Sequence, residues 1–280
     1  MDTKRLEYSR LSEGAKYVHL SQALTHRGTV REINEDAMLE LPHIGVWVVA
    51  DGMGGHAAGD VASQLVIDNI QQAVDGLSPE LISVDILKLA LQNSNTQLQQ
   101  MSQTDFEGKV AGSTVVVLWL YQGDYHLLWV GDSRIYLLRQ QKMTMITKDH
   151  SQVNDMVDEG LLAAEDAESH PLANVITRAV GVDSQLDIDY RTGKVVEGDT
   201  FLLCSDGLNK ELSDTEIEAT INSGNIIDSG LALLHASLVR NARDNVTCIL
   251  VKNTQVTSGL SSKDISESND DFDKTIPVFI

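Results

Sequence analysis

Val49-Ala50-Asp51-Gly52-Met53-Gly54-Gly55-His56 is the stretch from which the rest of the chain can be read. Upstream, residues 45–50 (GVWVVA) form a short apolar run with β-branched residues, the pattern of a buried strand. Downstream, Ala57, Val61, Leu65, Val66, Ile70 and Ala73 recur at helical spacing, so a helix is expected over 57–74. A carboxylate therefore stands where a strand stops. The glycines around it let the backbone approach closely whatever that carboxylate holds. A lone Asp-Gly is an ordinary turn. A metal or phosphate site becomes the better reading because the arrangement recurs further along.

At 280 residues the chain can bury a full core, as one large domain or two small ones. An apolar share of 42% with only four prolines fits a soluble globular protein. Forty-one acids against 21 bases leave a formal charge of −20, which repels nucleic acid and anionic membrane and argues against both as partners. Most of that excess is read as solvated surface, which leaves unexplained the aspartates at the ends of apolar strands. No stretch has the form of a signal peptide or a membrane span, so a cytoplasmic protein is expected. Cys204 and Cys248 lie in apolar runs, where small buried thiols are common, and two such residues make neither a disulfide framework nor a zinc site.

Strands are expected at 17–24, 37–41 and 45–50, followed by helices at 57–74 and 79–101, the second with Leu81, Ile86, Leu89 and Leu98 on one side. From Ala111 the texture turns to β. Runs at 113–121, 125–130 and 135–138, joined by short polar turns, read as an antiparallel meander. A helix is expected at 150–160, closed by Gly160, and residues 161–174 read as a flap. A buried strand at 200–204, amphipathic helices at 214–221 and 226–239 and a last strand at 246–251 complete a domain over 1–253. Residues 254–280 read as a disordered acidic tail with a short apolar end. This order suggests an α+β layered domain rather than repeated βαβ units.

Asp36, Asp51, Asp132, Asp206 and Asp244 each stand at a strand edge or in the turn beside one. If the strands pack side by side, these carboxylates can converge. Several ionised carboxylates share a small cleft only when cations neutralise them. All-oxygen ligands select hard ions, so Mg²⁺ or Mn²⁺ is implied, and zinc is disfavoured without Cys/His spacing. Two such ions, roughly 3.5–4 Å apart, can share a hydroxide and stabilise in-line displacement at phosphorus. Arg31 has the planar fork to hold phosphoryl oxygens; a surface ion pair with a nearby Glu is the equal alternative.

Arg31-x-x-Asn34-Glu35-Asp36, Val49 to His56, Gly112-Ser113-Thr114, Gly131-Asp132-Ser133-Arg134, Ser205-Asp206-Gly207-Leu208 and Arg243-Asp244-Asn245-Val246-Thr247 occur in the order seen in metal-dependent serine/threonine protein phosphatases of type 2C, the PPM family. The chain resembles their short bacterial members over residues 17–252. The resemblance implies a four-layer α-β-β-α sandwich of two antiparallel sheets, with two Mn²⁺ or Mg²⁺ ions at one end. By motif, Asp51 would bridge both ions, the Gly52 carbonyl would bind the first, Asp206 and Asp244 the second. Asp36, like Glu35, would act directly or through water, and Asp132 with Asp206 matches a third-ion pair. Arg31 matches the arginine that grips phosphate. His56 either protonates the leaving oxygen or only packs and contacts substrate; His170 is at most an accessory.

The implied activity is hydrolysis of phosphoserine and phosphothreonine on phosphorylated proteins by a metal-bridging hydroxide, in a monomer opposing a bacterial Ser/Thr kinase. The end of the tail, Asp273 to Val278, is either a phosphothreonine docking peptide for a partner domain or a frayed end. A silent phosphoprotein-binding module and a small-molecule phosphohydrolase are the competing functions. Trp47, Trp119 and Trp129 read as core, and Arg134 and Arg178 as partners of nearby acids.

Overall fold

The computed structural model describes residues 17–54, 58–106, 110–167 and 170–255. In chain order the elements are β1 (Tyr17–His26), β2 (Asp36–Leu41), β3 (Val46–Met53), α1 (Ala58–Val74), α2 (Val84–Thr104), β4 (Gly112–Ser113), β5 (Val115–Tyr121), β6 (Asp124–Val130), β7 (Arg134–Arg139), β8 (Lys142–Met145), α3 (Gln152–Asp158), β9 (Asp189–Lys194), β10 (Thr200–Cys204), α4 (Asp206–Asn209), α5 (Asp214–Asn222), α6 (Ile226–Val239) and β11 (Val246–Gln255). They build a five-stranded sheet in the order β1-β11-β10-β7-β8 and a second sheet in the order β2-β3-β5-β6-β9, with β4 paired to β3. Neighbouring strands in both are antiparallel.

Strand periodicity explains the layering. Successive side chains point to opposite faces, and both faces of each sheet are covered, so the strands read as unbroken apolar runs. On β3, Trp47 and Val49 face the other sheet, packing with Val116, Leu118, Ile135, Phe201, Leu203, Ile249 and Val251. Val46, Val48 and Ala50 face outward onto α1 and α2, meeting Val66, Ile70, Leu87, Leu91 and Leu98. On the far side, Leu202, Cys204, Cys248 and Leu250 pack on Ile217, Leu233 and Leu234 of α5 and α6. The result is the α-β-β-α sandwich. Trp47, Trp119 and Trp129 are core, and both cysteines are buried and free.

Several sequence expectations need correction. The stretch 79–101 is two pieces: a single 3₁₀ turn at Pro79–Leu81, then α2, started by Ser83, whose hydroxyl accepts from Ile86 N at 3.3 Å. Leu98 is buried as expected, with Leu87, Ala90 and Leu91 beside it, whereas Leu81 and Leu89 are exposed. The meander also breaks. β5 and β6 are a hairpin, but Gly131-Asp132-Ser133 carries the chain into the other sheet, where β7 pairs with β10. Strand β11 continues to Gln255, two residues past the expected domain end. Strands β8 and β9 were not expected at all. Among the described residues no helix is long and apolar enough to cross a membrane.

Candidate metal centre

Register brings the five aspartates to one end of the sandwich. Asp36 opens β2 directly opposite Asp51 on β3. In the other sheet, Cys204 ends β10 opposite Cys248 of β11 and Arg134 of β7. Ser205-Asp206 follow Cys204, Asp132-Ser133 precede Arg134, and Asp244-Asn245 stand directly before Val246, the first residue of β11. All lie at the same end, where His26 pairs with Val246. The charges of Asp36, Asp206, Asp132 and Asp244 all reach Asp51.

Hydrogen bonds lock the backbone around these carboxylates. Asp51 O accepts from Thr114 N at 2.9 Å and Ser113 Oγ at 3.1 Å, and its own N donates to Thr114 Oγ1 at 3.3 Å. Thr114 and Ser133 share a hydroxyl contact of 2.7 Å, tying β5 to the Asp132 turn. Ser205 Oγ donates to Asp36 Oδ2 at 2.7 Å and accepts from Thr247 N at 3.0 Å. Asn245 is the hub of the 27–35 loop: its Oδ1 accepts from Glu35 N at 2.7 Å, and its Nδ2 donates to Arg27 O and Ile33 O, each at 3.0 Å. Gly52 sits where no side chain fits. A Cβ there would stand 1.9 Å from Gly59 O and 2.7 Å from Glu35 O.

The electrostatics are those of acids without enough counter-charge. Burial pushes Asp36 up to about 7, against hydrogen bonds from Thr247 and Ser205 and helped by Asp206 and Asp244. Burial, then Asp206 and Asp149, also pushes Asp132 up to about 7, against Lys210. Asp51 is driven well above the carboxylate range by burial and by its four aspartate neighbours. Asp206 and Glu35 are raised by burial too, against Lys210 and Arg31 respectively. Asp36 Oδ1 and Asp206 Oδ1 are buried with no hydrogen-bond partner among the described residues.

Two cations answer part of this charge. Arg31 lies 2.9 Å from Asp244 Oδ1 and 3.8 Å from Glu35 Oε2. Lys210 pairs with Asp206 Oδ2 and lies 3.6 Å from Asp244 Oδ2; burial opposes its charge, but Asp206, Asp244 and Asp132 more than restore it. As the side chains stand, no three among the described residues form a finished coordination cage. Asp206 and Asp244 lean toward Lys210 and Arg31 instead. The donor set nonetheless fits hard divalent ions: all oxygens, two of them orphaned, on mutually repelling acids. Val30, Arg31, Asn174, Lys210, Arg243 and Asp244 line a groove of about 500 Å³ beside the acids.

Residues 25–224 match the family model of protein phosphatase 2C. The chain belongs to the protein phosphatase 2C family. Among its relatives, the serine/threonine phosphatase stp of Listeria monocytogenes is 32% identical over 235 residues, 81% of this chain and 93% of that protein. The solved structure of PppA, described as a key regulatory component of T6SS in Pseudomonas aeruginosa, is similar with TM-score 0.73 and 38% identity, covering 84% of this chain and 97% of that one. The catalytic domain of the serine/threonine protein phosphatase PstP, solved with two manganese ions, is similar with TM-score 0.76 and 32% identity, covering 85% and 100%. This family member is therefore a protein serine/threonine phosphatase by descent.

Of the residues singled out in the sequence, Arg31, Asp36, Asp51, Gly52, Asp132, Asp206 and Asp244 meet at this end. His56 lies outside the described residues. Arg31 does make the ion pair with a nearby Glu, but its shorter contact is to Asp244. Arg134 and Arg178 pair with acids, Arg134 with Asp149 and Arg178 with Asp187 and Asp189. His170 caps its own turn, accepting from Leu172 N at 3.2 Å. Sequence reasoning passed over Lys210, Asn245 and Ser205 as working side chains. The spacing Asp206-x-x-x-Lys210, one helical turn, was the available signal for the first.

Proposed function

We propose that this chain is a metal-dependent phosphatase hydrolysing phosphoserine and phosphothreonine in proteins, without a phosphoenzyme. The observation that carries the reading is the pair of buried, unpartnered oxygens, Asp36 Oδ1 and Asp206 Oδ1, within five crowded aspartates. A hard cation is the partner such oxygens lack. Asp51 would hold both of two ions, Mn²⁺ or Mg²⁺, with the Gly52 carbonyl on the first; Asp206 and Asp244 would hold the second. Asp36, directly or through water, completes the set. PstP, solved with two manganese ions, supports that count. Bound there, the ions supply water activated near neutral pH and neutralise the phosphoryl charge.

Everything else falls to side chains. Ser113, Thr114 and Ser205 hold Asp51 and Asp36 in place. Arg31, in the lining of the groove, grips the phosphoryl oxygens with its planar fork. His56, from the same motif as Asp51, gives the leaving oxygen its proton. Neither cysteine serves as nucleophile: burial pushes the Cys248 thiol up to about 12 and Cys204 higher still. The chemistry implies a Ser/Thr kinase as the opposing enzyme, and a cytoplasmic site of action is part of the same proposal. The test is phosphate release from a phosphothreonine peptide. Turnover with Mn²⁺ is expected, falling at least about 10²–10³-fold in EDTA or in Asp206→Ala. Turnover that survives chelation overturns the metal reading. A Mn²⁺-loaded protein inert on phosphopeptides would instead make it a binding module.

A further inference from the structure

Lys210 occupies an unusual place for a lysine. It follows α4 directly, and its amide donates to Asp206 O at 2.9 Å, so one helical turn folds its side chain back over Asp206. The ammonium pairs with Asp206 Oδ2, stands 3.6 Å from Asp244 Oδ2 and feels the charge of Asp132. The two oxygens of Asp206 are thus used differently. Oδ2 is held by Lys210, while Oδ1 is buried with no partner among the described residues. An ammonium and a divalent ion cannot both sit on Oδ2, because at contact distance their repulsion in a half-buried site is severe.

We propose that the Lys210 ammonium is this chain's own substitute for a third cation beside Asp132 and Asp206, so that the centre takes two divalent ions rather than three. The proposal rests on the metal-centre reading above and narrows it: Asp206 offers Oδ1 to an ion and keeps Oδ2 for the lysine. A tethered cation needs no free metal. Its effective concentration at Asp206 is set by a four-residue turn, on the order of the millimolar range or above, so dilution does not remove it.

The experiment counts Mn²⁺ bound to the full chain by calorimetric titration and by metal analysis. Two ions are expected for the wild type and for Lys210→Arg, three for Lys210→Gln, and two again for Lys210→Gln combined with Asp132→Asn. Three ions in the wild type, or two in Lys210→Gln, overturn the proposal. Should Lys210→Gln not fold, Asp132→Asn alone decides: an unchanged count is expected, and loss of one ion overturns it. A wild type that binds no Mn²⁺ overturns the metal centre itself along with this proposal, whereas two ions in both wild type and Lys210→Gln overturn this proposal alone.

Discussion

Buried acids are treated in two opposite ways in this molecule. Asp149 and Asp199 each face an arginine fork. Arg134 Nε donates to the two oxygens of Asp149 at 3.1 and 3.0 Å, and its Nη2 reaches Oδ2 at 2.8 Å. Arg139 reaches the two oxygens of Asp199 at 2.8 and 2.7 Å, and Val196 N adds a third bond at 2.8 Å. At the end of the sandwich, Asp36, Asp51 and Asp206 are also sunk into the fold, yet among the described residues no such fork answers them and two of their oxygens have no partner. An acid the fold needs for itself brings its own guanidinium. Acids left short of partners are kept for a cation from outside.

The sharpest way to break this contrast is to neutralise one acid of each kind. Asp51→Asn should lower kcat/KM about 10³-fold while raising the melting temperature of the metal-free protein, because it removes a repelling charge. A variant that loses activity and metal-free stability together would put Asp51 in the structural class. Arg134→Met should do the reverse, destabilising by about 3–5 kcal/mol in denaturant melts by stranding Asp149. If Arg134→Met melts like the wild type, the pairing of Asp149 is ornamental.

Proton linkage sharpens the contrast further. Asp36 and Asp132 are raised to about 7 in the fold, above the value of 3.8 expected for an unfolded chain. Between those two values the folded state binds more protons, so their stabilising contribution is present at low pH and lost as pH rises through 7. In EDTA, stability should therefore fall from pH 5 to pH 8 by about 2–3 kcal/mol for either group. Saturating Mn²⁺ should flatten the slope. A metal-free protein whose stability rises over that window would contradict the unpaired state of these acids. At the small end, Lys148 and Asp158 form an exposed pair, and Lys148→Gln should shift stability by under about 1 kcal/mol.

What could be read from the sequence was whatever local pattern decides. Apolar runs cut short by Asp marked β3, β10 and the five acids, and α6 matched its expected span because Asn225 caps it, accepting from Ile227 N and Asp228 N. Where distant partners decide, local pattern fails. Gly131 has φ of +105°, and a Cβ there would meet Thr114 Cβ at 2.6 Å, yet the turn looked like a hairpin. The pairing of β7 with β10, Ile135 opposite Leu203, places β7 in the other sheet. Strand β9 (DYRTGK) is a polar edge strand without an apolar alternation to betray it. Asn245 works through bonds to residues more than 200 positions away, which no window of sequence contains.

Thermal unfolding of the chelator-treated protein at neutral pH, with and without Mn²⁺, tests the central claim most directly. Mn²⁺ at about a hundred times its dissociation constant should add about 2.7 kcal/mol and raise the midpoint by several degrees, with the rise absent in Asp51→Asn. An unchanged midpoint in the wild type, or an equal rise in Asp51→Asn, would contradict a cation site built from these acids.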